Sequence, residues 1–139
     1  MERLFIDTDV ALDLLSGRDP HYNPAAELFS MADSGKVKLY ISPLSISNLN
    51  YLLSRQYDKT ESRRILNSFK VLVSITSIDA KIIDLALSSK FNDLEDAIQY
   101  FTAVEYNIPI LITRNTKDYK FAKIPVMSAQ EFISRFPSR

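Results

Sequence analysis

The sequence predicts a three-layer α/β/α domain around a central, mainly parallel sheet of about four to five strands. Three observations point there. Short apolar runs read as buried strands, the segments between them carry helical periodicity, and the two alternate along the chain. Strands separated by helices pair in parallel through right-handed crossovers. The 139 residues show no linker, repeat or low-complexity segment, so 1–139 reads as a single domain.

The elements follow in order. Leu4-Phe5-Ile6 is the first strand. Thr8 is placed to cap a helix over Asp9 to Ser16, which Gly17 ends. Asn23-Pro24 opens a second helix through about Ala32, with Gly35 beyond it. Val37 to Ile41 alternates as strand two, and Ser42-Pro43 breaks it. Leu44 to Tyr57 and Thr60 to Asn67 read as helices, the latter with Glu61, Arg63 and Arg64 on an exposed face. Val71 to Ile75 reads as strand three and Ile78 to Leu87 as a helix. Asp93 to Tyr106 is the clearest helix, with Leu94, Ala97, Ile98, Phe101 and Val104 on one face. Pro109 to Thr113 is strand four, and Ile124 to Met127 is a short edge strand that tolerates Pro125. Ala129 to Phe136 closes as a helix.

Composition excludes much chemistry. With 46% hydrophobic residues, the chain can bury roughly two-thirds of its unfolded surface and needs no disulfide or metal to fold. Net charge is zero, which argues against binding nucleic acid by charge alone. There is no cysteine, so thiolate metal sites and cysteine nucleophiles are excluded. One histidine, His21, rules out two-histidine metal motifs, and two glycines leave no phosphate-binding loop. What remains is carboxylate, which suits hard cations such as Mg²⁺ or Mn²⁺. The N-terminal residues lack a signal-peptide pattern. The longest uncharged stretch, Leu39 to Ser54, is 16 residues and too polar to span a bilayer. A cytoplasmic protein with no membrane contact is the expectation.

Ligands of open parallel sheets bind outside the carboxyl ends of the strands. Asp7 ends strand one, and Asn115 and Asp118 follow strand four. Asp93 and Asp96 open the helix leading into strand four, three residues apart and so on one face. These residues converge on one rim, where a cation would relieve their repulsion. Each also has a plainer reading: Asp93 as a helix cap with Asp96 in the first turn, and Thr113-Arg114-Asn115 as a simple turn. Asp9 reads as a dipole partner, Asp13 as an exposed helix residue, Glu95 as facing solvent and His21 as a loop residue.

In these segments the chain resembles the PIN-domain nucleases. Phe5-Ile6-Asp7-Thr8-Asp9-Val10-Ala11-Leu12-Asp13-Leu14-Leu15 is similar to their opening strand and helix. Asp93-Leu94-Glu95-Asp96-Ala97, followed by Ala103, resembles their acidic helix. Ile112-Thr113-Arg114-Asn115-Thr116-Lys117-Asp118-Tyr119 resembles their T-R-N-x-x-D-[FY] segment, and Pro125 to Phe132 their ending. The resemblance implies a PIN-like fold and a metal-dependent ribonuclease. Small members are often toxins of type II toxin–antitoxin pairs of the VapC type, homodimers neutralised by an antitoxin protein. Carried over, Asp7 is the first acid, Asp96 the third with Asp93 beside it, and Asn115 or Asp118 the last polar group. Asn48 stands where the family usually has glutamate. It offers a carbonyl oxygen but no charge, so it implies a weakened ligand.

On that reading Asp7, Asp93 and Asp96 hold Mg²⁺ or Mn²⁺, which polarises the RNA phosphate and activates a water. Arg114 and Lys117, then Lys120 and Lys123, lie beside the rim as phosphate contacts, with a solvated loop as the plainer reading. Arg55, Arg63 and Arg64 read rather as an exposed helix face, and Tyr119 as a core or rim residue rather than a base-stacking one. The Asn48 departure motivates an alternative, a catalytically weak PIN-like module binding RNA or a protein. A phosphoacceptor receiver domain ranks lower, because strand three ends without an aspartate.

Overall fold

The computed structural model describes residues 1–136. The strands are β1 (Glu2–Ile6), β2 (Val37–Ile41), β3 (Ser74–Ile75), β4 (Ile110–Ile112) and β5 (Val126–Met127). The helices are α1 (Thr8–Ser16), α2 (Tyr22–Asp33), α3 (Pro43–Gln56), α4 (Lys59–Phe69), α5 (Ala80–Leu87), α6 (Leu94–Glu105) and α7 (Ala129–Arg135). Short 3₁₀ turns cover Lys70–Leu72 and Thr116–Tyr119.

The sheet order is β3-β2-β1-β4-β5, and all four pairings are parallel. Leu4 stands opposite Leu39 on one side and Ile110 on the other. Side chains of β1 alternate between faces, as a pleated strand requires. Leu4 and Ile6 enter the core beneath α1–α4 and α7, while Phe5 enters the core beneath α6. A third cluster joins α5 to α6 through Ile82, Ala86, Ala97 and Ile98. Helices on both faces of a parallel sheet make three layers, as the alternation predicts.

Four local expectations are corrected. Asp7, not Thr8, caps α1: its side chain accepts from the Thr8 backbone N–H. Gly17 ends that helix at a left-handed φ of 65°. Strand three is two residues, not five. Only Ser74 and Ile75 pair with β2, because Lys70–Leu72 winds into a 3₁₀ turn before them and leaves Val71 80% exposed. Helix α5 starts at Ala80, because the Asp79 side chain caps it by accepting from the Ile82 N–H at 3.0 Å. Strand β5 starts at Val126, although the Pro125 carbonyl still accepts from the Leu111 N–H. Proline supplies an acceptor there but no donor.

Candidate active site

The chain leaves β1 toward β2 and β3 on one side and later places β4 and β5 on the other. The crevice at such a reversal, outside the carboxyl ends of β1 and β4, is where open parallel sheets bind ligands. Asp7 follows β1 and Thr113 follows β4, so the fold brings both to this crevice.

Asp7 is 7% exposed and its carboxylate is held from four directions. Oδ1 accepts from the Thr8 N–H at 2.8 Å and from Gln99 Nε2 at 3.4 Å. Oδ2 accepts from Thr113 Oγ1 at 3.0 Å and from the Tyr119 hydroxyl at 2.9 Å. Gln99, fully buried on α6, also donates to Ser45 Oγ at 2.6 Å and accepts from Ser42 Oγ at 2.7 Å. Ser45 in turn shares a 2.7 Å bond with Thr8 Oγ1. Strand ends and three helices are thus stitched together around one carboxylate. A buried charge is tolerated when its oxygens are satisfied in this way.

Two further groups of acids flank Asp7. The first lies on α1. Asp9 Oδ2 accepts from Thr113 Oγ1, the Arg114 N–H and Asn115 Nδ2 at 3.2–3.3 Å. Asp13, four residues on, accepts from Arg114 Nε at 2.7 Å. Burial and the Asp7 charge push the Asp9 carboxyl up to about 6, against the opposing pull of Arg114. The expectation for Asp13 is therefore corrected: it is 2% exposed, not a solvent-facing helix residue. Asp9 does more than complement a helix dipole. Arg114 Nε is engaged by Asp13, with its side chain partly exposed.

The other group lies across Asp7 on α6 and the loop after β4. Asp93 caps α6, its Oδ1 accepting from the Asp96 N–H at 3.0 Å. Asp96 is half-buried, and its Oδ1 lies 3.4 Å from the same Tyr119 hydroxyl that bonds Asp7. Burial first, then the charges of Asp7, Asp93 and Asp118, push the Asp96 carboxyl up to about 7. Asp118 is exposed. Asp93, Asp96 and Asp118 line a cavity of about 230 Å³ with Lys117, Lys120 and Phe121. Tyr119 is 3% exposed, so it is a core residue as the sequence suggests. Burial beside two carboxylates pushes its phenol further up, which keeps the hydroxyl protonated.

Asn48 reaches the same edge from α3, its Nδ2 donating to Glu95 Oε2 at 2.8 Å. Glu95 is exposed as expected, yet burial of its carboxyl and the charges of Asp7 and Asp93 raise it above the ordinary range. His21 is an exposed residue at the start of α2. Arg63 and Arg64 lie on the exposed face of α4, where Arg64 pairs with Glu61.

Among the described residues, no three His, Cys, Asp or Glu side chains are gathered closely enough to hold a metal ion. Of Asp7, Asp93 and Asp96, Asp93 uses Oδ1 to cap α6 while lining the same cavity as Asp96. The donor chemistry nevertheless suits a hard cation. Asp7 and Asp96 both face one point, the Tyr119 hydroxyl, and burial together with neighbouring negative charge raises Asp96 to about 7.

Gln99, Thr113, Asp9 and Asp13 escape the sequence reading. Gln99 had a signal, since it lies one turn past Asp96 on the side of the helix that also carries Glu95 and Thr102. Asp13 had none, because its partner is 101 residues away.

The fold and this edge define a class: a parallel α/β domain whose carboxylates gather at the crossover between its central strands. Residues 3–117 match the PIN domain family, and the chain belongs to it. The chain is 27% identical to ribonuclease VapC1 of Aquifex aeolicus over 97% of its own length and 96% of that protein. Among solved structures it is similar to a toxin–antitoxin complex from Klebsiella pneumoniae, with 28% identity and a TM-score of 0.66. That match covers 91% of this chain and 97% of the other. It also resembles DNA-bound VapBC from Salmonella typhimurium, with 12% identity, a TM-score of 0.71 and coverage of 93% and 99%.

Proposed function

We propose that this protein is a metal-dependent endoribonuclease, the toxin of a toxin–antitoxin pair. The observation that carries the reading is the pairing of Asp7 and Asp96 on one hydroxyl at the crevice of a PIN domain. A relative similar over nearly the whole chain is a ribonuclease, and a similar structure is a toxin–antitoxin complex. These support an RNA substrate and an antitoxin partner. A cytoplasmic homodimer completes the proposal, and among the described residues no helix is long and apolar enough to cross a membrane.

Asp7 and Asp96 would hold Mg²⁺ or Mn²⁺, with Asp93 and Asp118 adding charge around it. When bound, such an ion supplies Lewis-acid polarisation of the phosphate and an activated water. The chain does the rest. Thr113, Gln99 and Tyr119 lock the Asp7 carboxylate in one orientation, which a rigid ligand set requires. Glu95, tied to Asn48, brings to this edge the carboxylate that α3 lacks. Asn115 and Asp118 stand at the turn after β4, and Lys117 beside the acidic cavity is placed to meet a phosphate.

The test is cleavage of single-stranded RNA and tRNA by the purified protein in Mg²⁺ or Mn²⁺. Asp96→Asn is expected to lower the rate by more than about 100-fold, beyond the 10–100-fold typical of a residue that only positions a ligand. EDTA is expected to abolish cleavage. Cleavage unchanged by both would refute the proposal.

A further inference from the structure

Beside the acidic cavity lies a larger one of about 460 Å³, walled by Phe91, Tyr100, Phe101, Phe121, Lys90 and Lys123. Phe121 lines both cavities and so forms the partition between them. It is 42% exposed, although an apolar ring of this size is normally covered. Its edge rests against Phe91 at 6.3 Å between centroids, and Lys120 Nζ stands 5.3 Å from its ring centre. Phe91 also packs on Tyr100 at 5.2 Å and Tyr119 at 6.0 Å. The aromatic cluster therefore runs from the larger cavity to the hydroxyl that joins Asp7 and Asp96.

From this we infer that the aromatic cavity is a nucleobase subsite, in which Phe121 stacks the base next to the phosphate held at the acidic edge. The inference rests on the nuclease reading and adds where the strand runs. Charge decides the occupant. Two lysines and no carboxylate line the aromatic cavity, and Lys117 and Lys120 stand among the aspartates Asp93, Asp96 and Asp118 in the neighbouring one. Aromatic rings interleaved with lysines suit a strand of bases and phosphates, whereas an apolar protein segment has no use for the positive charge. Stacking uses the face of any base, so the subsite tolerates sequence.

The experiment uses short oligouridylates that carry one 2-aminopurine at successive positions, in EDTA so that the strand stays intact. Affinity is read by anisotropy and stacking by 2-aminopurine quenching, with cleavage followed separately in Mn²⁺. Wild type is expected to quench the probe at one position. Phe121→Ala and Phe121→Leu are expected to lose that quenching and bind about 5- to 100-fold more weakly. Phe121→Trp is expected to keep both. Leucine preserves apolar bulk without the ring, and circular dichroism confirms that each variant is folded. If wild type cleaves but the alanine and leucine variants bind and quench as it does, the subsite is refuted and the nuclease reading stands. That outcome is also the one expected if the cavity takes a protein segment. If wild type neither binds nor cleaves RNA, both readings fall.

Discussion

The two acidic groups on either side of Asp7 differ in how their charge is balanced. On α1, Asp9 and Asp13 are met by Arg114, by its backbone N–H and by Thr113 and Asn115. The chain brings its own cation to that side. Around α6 and the loop after β4, Asp93, Asp96 and Asp118 have no ion pair among the described residues, although Lys117 and Lys120 line the same cavity. Burial and these neighbouring charges raise Asp96 to about 7, whereas Asp9, with Arg114 opposing, rises to about 6. Similar side chains a few ångströms apart thus do different work. The α1 group, partly neutralised by Arg114, holds the loop after β4 to α1, and the α6 group, without an ion pair among the described residues, is where the proposed function would seat a cation. Balancing charge inside the fold favours stability, whereas leaving it unbalanced trades some stability for a site.

The comparison can be broken most strongly at Arg114. Arg114→Ala strands Asp13, which is 2% exposed, as a buried charge without a partner. Breaking such a pair costs about 2–4 kcal/mol when one partner is partly solvated, or roughly 8–15 °C of melting temperature. Thermal denaturation checks this, and Asp13→Ala combined with Arg114→Ala is expected to recover part of the loss. A fall no larger than that of an exposed arginine such as Arg63 would show that the α1 group is not held together as described.

A smaller effect sharpens the other side. The Asp96 carboxyl rises from an ordinary 3.8 to about 7 in the folded protein. The fold therefore favours its neutral form. That stabilisation is fully present below about pH 4 and is lost as pH rises through about 7. Without metal, the melting temperature is expected to fall between about pH 4 and 7, and Asp96→Asn is expected to flatten that slope. Because Asp96 is half-exposed, solvent screening limits the difference at pH 8 to roughly 2–6 °C. A melting scan across pH in EDTA measures it.

The fold is legible in the sequence because its signals are local. Buried strands such as Leu4 to Ile6 and the periodic face of α6 show themselves within a few residues. Asp7, Asp96 and Asp118 are legible as well, because strand ends of a parallel sheet are predictable places. What depends on distant partners is not. Nothing near Asp13 announces Arg114, so from sequence Asp13 reads as solvent-exposed and Arg114 as free for phosphate. Asp93 is legible in both its readings, and the cap bond to the Asp96 N–H decides where its carboxylate points. Nothing in the apolar run Val71 to Ile75 announces that its start winds into the 3₁₀ turn over Lys70–Leu72, which shortens β3. The pattern around Tyr119 places it in the core, but its hydroxyl between Asp7 and Asp96 is a matter of tertiary geometry.

On the proposed function, the α6 group and not the α1 group takes the cation. The most direct measurement is Mn²⁺ binding by calorimetry to wild type, Asp96→Asn and Asp9→Asn. The account expects wild type to bind, Asp96→Asn to weaken binding by more than about tenfold, and Asp9→Asn to change it far less. Equal losses in the two variants, or a larger loss in Asp9→Asn, would contradict it.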